Sequence, residues 1–333
     1  MEFLEPLIAA TFLGKAVWIW LLFAGIVVTL LAFDLGVLHR DQHEIGVRES
    51  LWLSAGYIGV ACAFGAWVWW YLGADLGMKY YTGFLIEKSL SLDNVFVIAL
   101  IFSYFAIPRQ YQHRVLFWGI LGVIVLRGIM IALGATLVAE FDWILWLFGA
   151  FLVFTGIKML VISDHMPNLA ENPLLRFLKR RLRVTEDFGG GNFWVHRPHP
   201  VTGKTVRWAT PLFLALCLVE FADLIFAVDS VPAIFAITTD PYIVYTSNIF
   251  AILGLRALYF ALSAMIHRFG DLKYALSLVL IFIGGKIFYA QIWGKVDPAI
   301  SLSVTFALLA GGVIVSLIRS RKTPTAETAG DPA

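Results

Sequence analysis

Apolar runs of about 20 residues or more recur along the chain, separated by short polar clusters, and this spacing predicts membrane-crossing helices rather than a soluble core. Nine spans follow: 16–38, 51–73, 82–105, 113–138, 142–162, 208–237, 243–266, 272–293 and 297–318. The first reads as a permanent span rather than a cleaved signal, because Glu2 and Glu5 precede it and Lys15 is its only nearby base. The expected architecture is all-α, a polytopic transmembrane helical bundle.

Composition strengthens that picture. The 333 residues are 60% hydrophobic and 14% charged, and mean hydropathy is +0.81, outside the range of a soluble domain of this size. No basic excess supports nucleic-acid binding. Lys and Arg are unevenly distributed between the connections. Arg40, Arg48, Arg109, Arg114, the basic run from Arg176 to Arg207, Arg268, Lys273, Arg319, Arg321 and Lys322 fall on one side, and only Lys15, Lys79 and Lys295 on the other. The positive-inside rule then places the N-terminus outside and the C-terminus in the cytoplasm of a cell inner membrane.

The spans contain a duplication. SLSLDNVFVIALIF, from Ser89, aligns with DLIFAVDSVPAIFA so that Glu87, Asp93 and Asn94 fall on Asp223, Asp229 and Ser230 at one constant offset. Arg127 then falls on Arg256 and Lys158 on Lys286 at slightly shorter offsets. Each unit holds three spans, so the second enters the membrane from the opposite side, giving two inverted three-helix repeats. The expected divisions are a two-span segment (1–81), the first repeat (82–162), a cytoplasmic connection (163–207), the second repeat (208–293), a final span (294–318) and a disordered tail (319–333). In the connection, Asn172 before Pro173 starts an amphipathic helix whose leucines and bases suit an anionic lipid surface, and NFWVHRPHPVTGKTVRW suggests a hairpin.

Charge inside the spans is where chemistry is expected. Each carboxylate in hydrocarbon costs several kcal/mol unless something holds it. Asp34, Glu87, Asp93, Glu220, Asp223 and Asp229 lie within apolar runs, opposed by Lys88, Arg127, Lys158, Arg256 and Lys286. The bases read first as interhelical ion pairs that fix packing. The acids outnumber them and are accompanied by Asn94 and Ser230, an oxygen-rich set whose negative excess suits a cation. Every histidine falls in a connection or at a span end, and Cys62 and Cys217 lie far apart, so a zinc or copper site is disfavoured. Mn²⁺, Mg²⁺ and Ca²⁺ remain open as ligands. Glu87, Asp93, Asn94, Asp223, Asp229 and Ser230, with Asp34 and Glu220, are the candidate metal-binding residues. Pro232 removes a helix hydrogen bond beside Asp229 and offers a place for that helix to open.

EKSLSLDNVFVIALIFSYF, TPLFLALCLVEFADLIFAVDSVPAIFAIT and the intervening GGNFW segment resemble the TerC family of integral membrane proteins, over most of the chain except the tail. The resemblance implies efflux of Mn²⁺ as a transported substrate, with no tightly bound cofactor, and the family name records tellurite resistance. The expected protein is a secondary transporter rather than an enzyme, with the lipid bilayer, a divalent ion and protons as partners. No GxxxxGK[ST] motif for direct ATP drive occurs in the sequence. Two alternatives are a non-transporting scaffold in a membrane stress complex and, more remotely, an intramembrane aspartyl protease.

Overall fold

A computed structural model of the chain describes residues 10–38, 47–141, 143–161, 172–198, 203–263, 272–294 and 296–322, apart from the side chains of 35–38, 47, 92, 93, 96, 229, 261–263, 272, 273, 317 and 319–322. The helices are α1 (Val17–Leu38), α2 (Val47–Leu72), α3 (Ala74–Tyr104), α4 (Arg109–Glu140), α5 (Ile144–Val161), α6 (Pro173–Arg181), α7 (Pro211–Phe235), α8 (Pro241–Leu253), α9 (Leu255–Ser263), α10 (Leu272–Ile292) and α11 (Pro298–Lys322). Two small hairpins accompany them, β1 (Thr11–Phe12) with β2 (Lys15–Ala16) and β3 (Trp194–Pro198) with β4 (Thr205–Ala209), both antiparallel.

Among the described residues, 8 helices or helix pairs are long and apolar enough to cross a membrane, one fewer than the sequence predicts. The expected span 82–105 lies in α3, which is outside that set and carries Glu87, Lys88 and Asp93. Despite those charges α3 is central: it packs against α2, α7, α8, α9 and α11. A helix with charged residues in its middle is tolerated in a bilayer when neighbours surround it. The expected span 243–266 is realised as α8 followed by α9, broken at Gly254.

Helix starts are written locally. Pro173, Pro211, Pro241 and Pro298 each occupy a first helical position, where the missing amide is harmless. Asn172 accepts hydrogen bonds from the amides of Leu174 and Leu175, Asp240 from those of Tyr242 and Ile243, and Asp297 from that of Ala299. These caps satisfy amides that have no partner inside the helix. α7 remains helical through Pro232, so the opening anticipated there is not observed.

The outer surface is apolar. Trp52, Trp70, Trp143 and Trp293 are exposed near helix ends, the placement of an interfacial aromatic belt. Inside, Phe23, Phe64, Tyr80, Phe84, Tyr242 and Phe250 form an aromatic core between α1, α2, α3 and α8. Elsewhere, α5 and α10 meet backbone to backbone: a Cβ at Gly284 would lie 2.7 Å from the Gly149 carbonyl oxygen, and one at Gly156 would lie 2.7 Å from that of Ser277. Small residues permit this approach, which is how membrane helices gain contact without a hydrophobic driving force.

The described part of the long connection packs against the bundle. Leu175 is buried, and Leu174, Leu178 and Leu182 pack with it against Ile107, Leu116 and Leu212. The leucine stripe of α6 therefore faces the bundle, not lipid, while Arg176, Lys179, Arg180 and Arg181 point outward. Three glycines with positive φ (55°, 63° and 84° at Gly189, Gly190 and Gly191) make the turn before β3. Trp194 packs against Phe213 in a tilted pair with ring centroids 4.5 Å apart, and the Arg207 guanidinium lies over the Trp194 ring at 4.1 Å. The expected hairpin is thus present. α11 continues through Lys322, past the expected end of the last span, and 323–333, where most of the expected tail falls, lie outside the described residues.

Candidate functional site

Glu87, Ser91 and Asn94 recur at i, i+4 and i+7 on α3, and Asp223 and Ser230 at i and i+7 on α7, so each helix carries one polar stripe. α3 and α7 pack against each other, and α4 and α8 flank the contact. The stripes meet around a side chain from α4. Arg127 is 1% exposed and lies between them.

All three nitrogens of its guanidinium donate to side-chain oxygens. Nε donates to Asp223 Oδ2 at 3.1 Å and Nη2 to Asp223 Oδ1 at 3.0 Å, a bidentate pair. Nη1 donates to Glu87 Oε1 at 2.8 Å, to Ser230 Oγ at 2.6 Å and to Asn248 Oδ1 at 3.2 Å. Two amides complete the network. Asn248 Nδ2 donates to Glu87 Oε2 at 3.2 Å, and Asn94 Nδ2 donates to Asp223 Oδ1 at 3.3 Å. Four of the candidate residues, Glu87, Asn94, Asp223 and Ser230, are therefore brought together, from both copies of the duplicated segment. Two carboxylates, Glu87 and Asp223, thus face one guanidinium.

The other candidates are placed elsewhere. Asp34 pairs with Arg256 and accepts a further hydrogen bond from Tyr57 Oη at 3.2 Å, away from the Arg127 cluster. Glu220 lies flat against α4, where a Cβ on Gly122 would sit 2.0 Å from its Oε1, and its Oε2 has no hydrogen-bond partner among the described residues. Asp93 and Asp229 belong to α3 and α7, and their side chains lie outside those described. Among the described residues no three of His, Cys, Asp and Glu gather as a metal-holding group.

The bases divide by role. Arg127 and Arg256 hold acids. Lys88 Nζ instead donates to the Ala251 carbonyl at 3.0 Å, in the last turn of α8 before the break at Gly254, and Lys286 Nζ to Ser301 Oγ at 3.0 Å. Lys158 is exposed, so the aligned pair Lys158 and Lys286 have different surroundings.

A small cavity of about 30 Å³ adjoins the cluster, lined by Asn94, Asp223, Val123, Gly119, Leu255 and Arg256 among others, with room for a water or two. Asn94 Oδ1 and Arg256 Nη1, both buried, have no hydrogen-bond partner among the described residues. Both residues line this mostly apolar cavity next to Asp223.

Sequence reasoning underrates Arg127 and misses Asn248. The signal for Asn248 is its place in PYIVYTSNIFAIL, where an amide in an apolar span needs a partner as much as a charge does.

The family model for the integral membrane protein TerC family matches residues 72–324, which includes every element of this cluster. This chain belongs to the TerC family. Relatives of this TerC-family chain include an uncharacterized membrane protein of Myxococcus xanthus, 46% identical over 309 residues, covering 93% of this chain and 95% of that one. One from Rickettsia bellii is 46% identical over 300 residues, covering 90% and 97%. The Escherichia coli K12 protein called putative membrane-bound redox modulator Alx is 44% identical over 307 residues, covering 90% and 94%. No solved structure matches the chain.

Proposed function

We propose that this TerC-family protein is a secondary transporter that exports a hard divalent cation, Mn²⁺ first among them, across the inner membrane with its N-terminus outside and its C-terminus in the cytoplasm. The observation that carries this reading is the meeting of Glu87 and Asn94 on α3 with Asp223 and Ser230 on α7 around one buried positive charge. Carboxylate, amide and hydroxyl oxygens arranged around a cation between two aligned segments match the midplane site of an inverted-repeat transporter. The packing supports the same plan. α3 rests on α8 as α7 rests on α4, and the third helices α5 and α10 pair with each other, as a two-fold exchange of the copies would give.

Oxygen-only donors favour Mn²⁺, Mg²⁺ or Ca²⁺ over softer metals. Carrying a divalent ion out against an inside-negative potential costs about 4.6 kcal/mol per 100 mV, twice the single-charge figure. Exchange for protons would supply that work, because carboxylates that release a metal can take up H⁺.

The saturation of Arg127 also favours a second reading, a non-transporting scaffold in which the charges only fix helix packing. Mn²⁺ uptake into inverted vesicles, measured with and without a pH gradient, separates the two. The transporter takes up Mn²⁺ faster when the vesicle interior is acid, and Asp93→Asn abolishes that uptake while inserted protein stays at normal levels. Vesicles rich in folded protein that take up no more Mn²⁺ than empty ones would leave the scaffold reading standing.

A further inference from the structure

We propose that Arg127 is a tethered cation that occupies the carboxylate site whenever the transported ion is absent, and that the ion binds by displacing it. This rests on the transporter reading above and adds to it the event that links binding to movement.

Arg127 takes up the donors an ion would need. Five contacts of 2.6–3.2 Å engage Glu87 Oε1, both Asp223 oxygens, Ser230 Oγ and Asn248 Oδ1. A hard divalent ion draws oxygens to about 2.0–2.6 Å, closer than they stand around a planar guanidinium. Bound there, it would lie against the guanidinium in a buried site with only two carboxylates to share between the two cations. Like charges at that range repel strongly where water is excluded. Ion and guanidinium therefore alternate in the site.

Charge balance gives the alternation a purpose. Without any cation, Glu87 and Asp223 would be two uncompensated charges where α3 meets α7, a strongly unfavourable state. Arg127 divides its hydrogen bonds between both, so the empty protein can close the α3–α7 contact without a metal.

The inference is tested on purified full-length protein in lipid nanodiscs, with no gradient present. Mn²⁺ binding is read from loss of the free-ion electron paramagnetic resonance signal. Arg127→Gln removes the competitor, and Mn²⁺ should bind roughly a hundredfold more tightly than to the wild type, as expected when a partner of a buried carboxylate pair is taken away. A folded Arg127→Gln protein that binds Mn²⁺ equally or more weakly overturns the proposal. Should that variant fail to fold, the wild type decides. Labelling of Arg127 by phenylglyoxal, read by mass spectrometry, should be absent without metal and appear on Mn²⁺ saturation; labelling that Mn²⁺ leaves unchanged or suppresses overturns the proposal. Because neither readout uses transport, failure of flux alone counts against the proposed function, whereas failure here with intact flux removes only the displacement step.

Discussion

Arg127 and Arg256 fall on each other in the aligned segments, yet their surroundings differ. The first uses all three guanidinium nitrogens on side chains from α3, α7 and α8. The second donates from Nη2 to Asp34 on α1, and its Nη1 has no hydrogen-bond partner among the described residues. The acid of each copy, Glu87 and Asp223, goes to one arginine, so the other draws its counter-charge from outside the duplication. The two aligned segments thus share one charged centre, and one buried anchor ties the first helix to the second segment.

The comparison breaks most visibly at Asp223. Asp223→Ala strips the bidentate partner from Arg127 and should lower stability by about 3–5 kcal/mol, measured by reversible unfolding in mixed micelles. If the loss is no larger than that from Asp34→Ala, the two arginines are equivalent and the distinction fails. Asp34→Asn sharpens the same contrast, since it keeps an acceptor for Arg256 and Tyr57; a smaller loss of about 2 kcal/mol is expected, with hydrogen-exchange protection falling in α1 and α9 and persisting in α3 and α7.

The smallest effect belongs to an ion pair in water. Asp187 pairs with Arg197 at 2.6 Å and accepts from the Gly189 amide at 2.8 Å, and these contacts, the amide first, hold its carboxyl below the usual carboxylate range. Its contribution is present above the unfolded carboxyl's pKa and is lost as pH falls through the depressed one. Hydrogen exchange of the β3–β4 amides should therefore quicken in acid, and Asp187→Asn should flatten that dependence while leaving the buried centres untouched. Both partners are about half exposed, so the effect stays slight.

Much of the architecture was legible in the sequence because two kinds of signal are local. Run length marks a span, and Asn172–Pro173 or Asp240–Pro241 marks a helix start, without reference to the rest of the fold. The stripes bearing Glu87 with Asn94 and Asp223 with Ser230 were legible too, since helical spacing puts them on one face. Which element fills the space opposite a stripe is set by packing among distant helices. For that reason Arg127 read as one ion pair among several, Asn248 went unnoticed, and Asp34 joined a group it does not touch. The leucines of α6 illustrate the same limit: an amphipathic face announces that it will be covered, and only the fold shows that Leu116 and Leu212, not lipid, cover it.

The contact between α5 and α10 constrains any motion that opens the site to either side. Their backbones approach through Gly149, Gly156 and Gly284, where an added Cβ would lie 2.7–3.3 Å from a facing carbonyl oxygen. Those two helices must travel as a single lever, and whatever hinge the molecule has lies at its borders with the rest of the bundle.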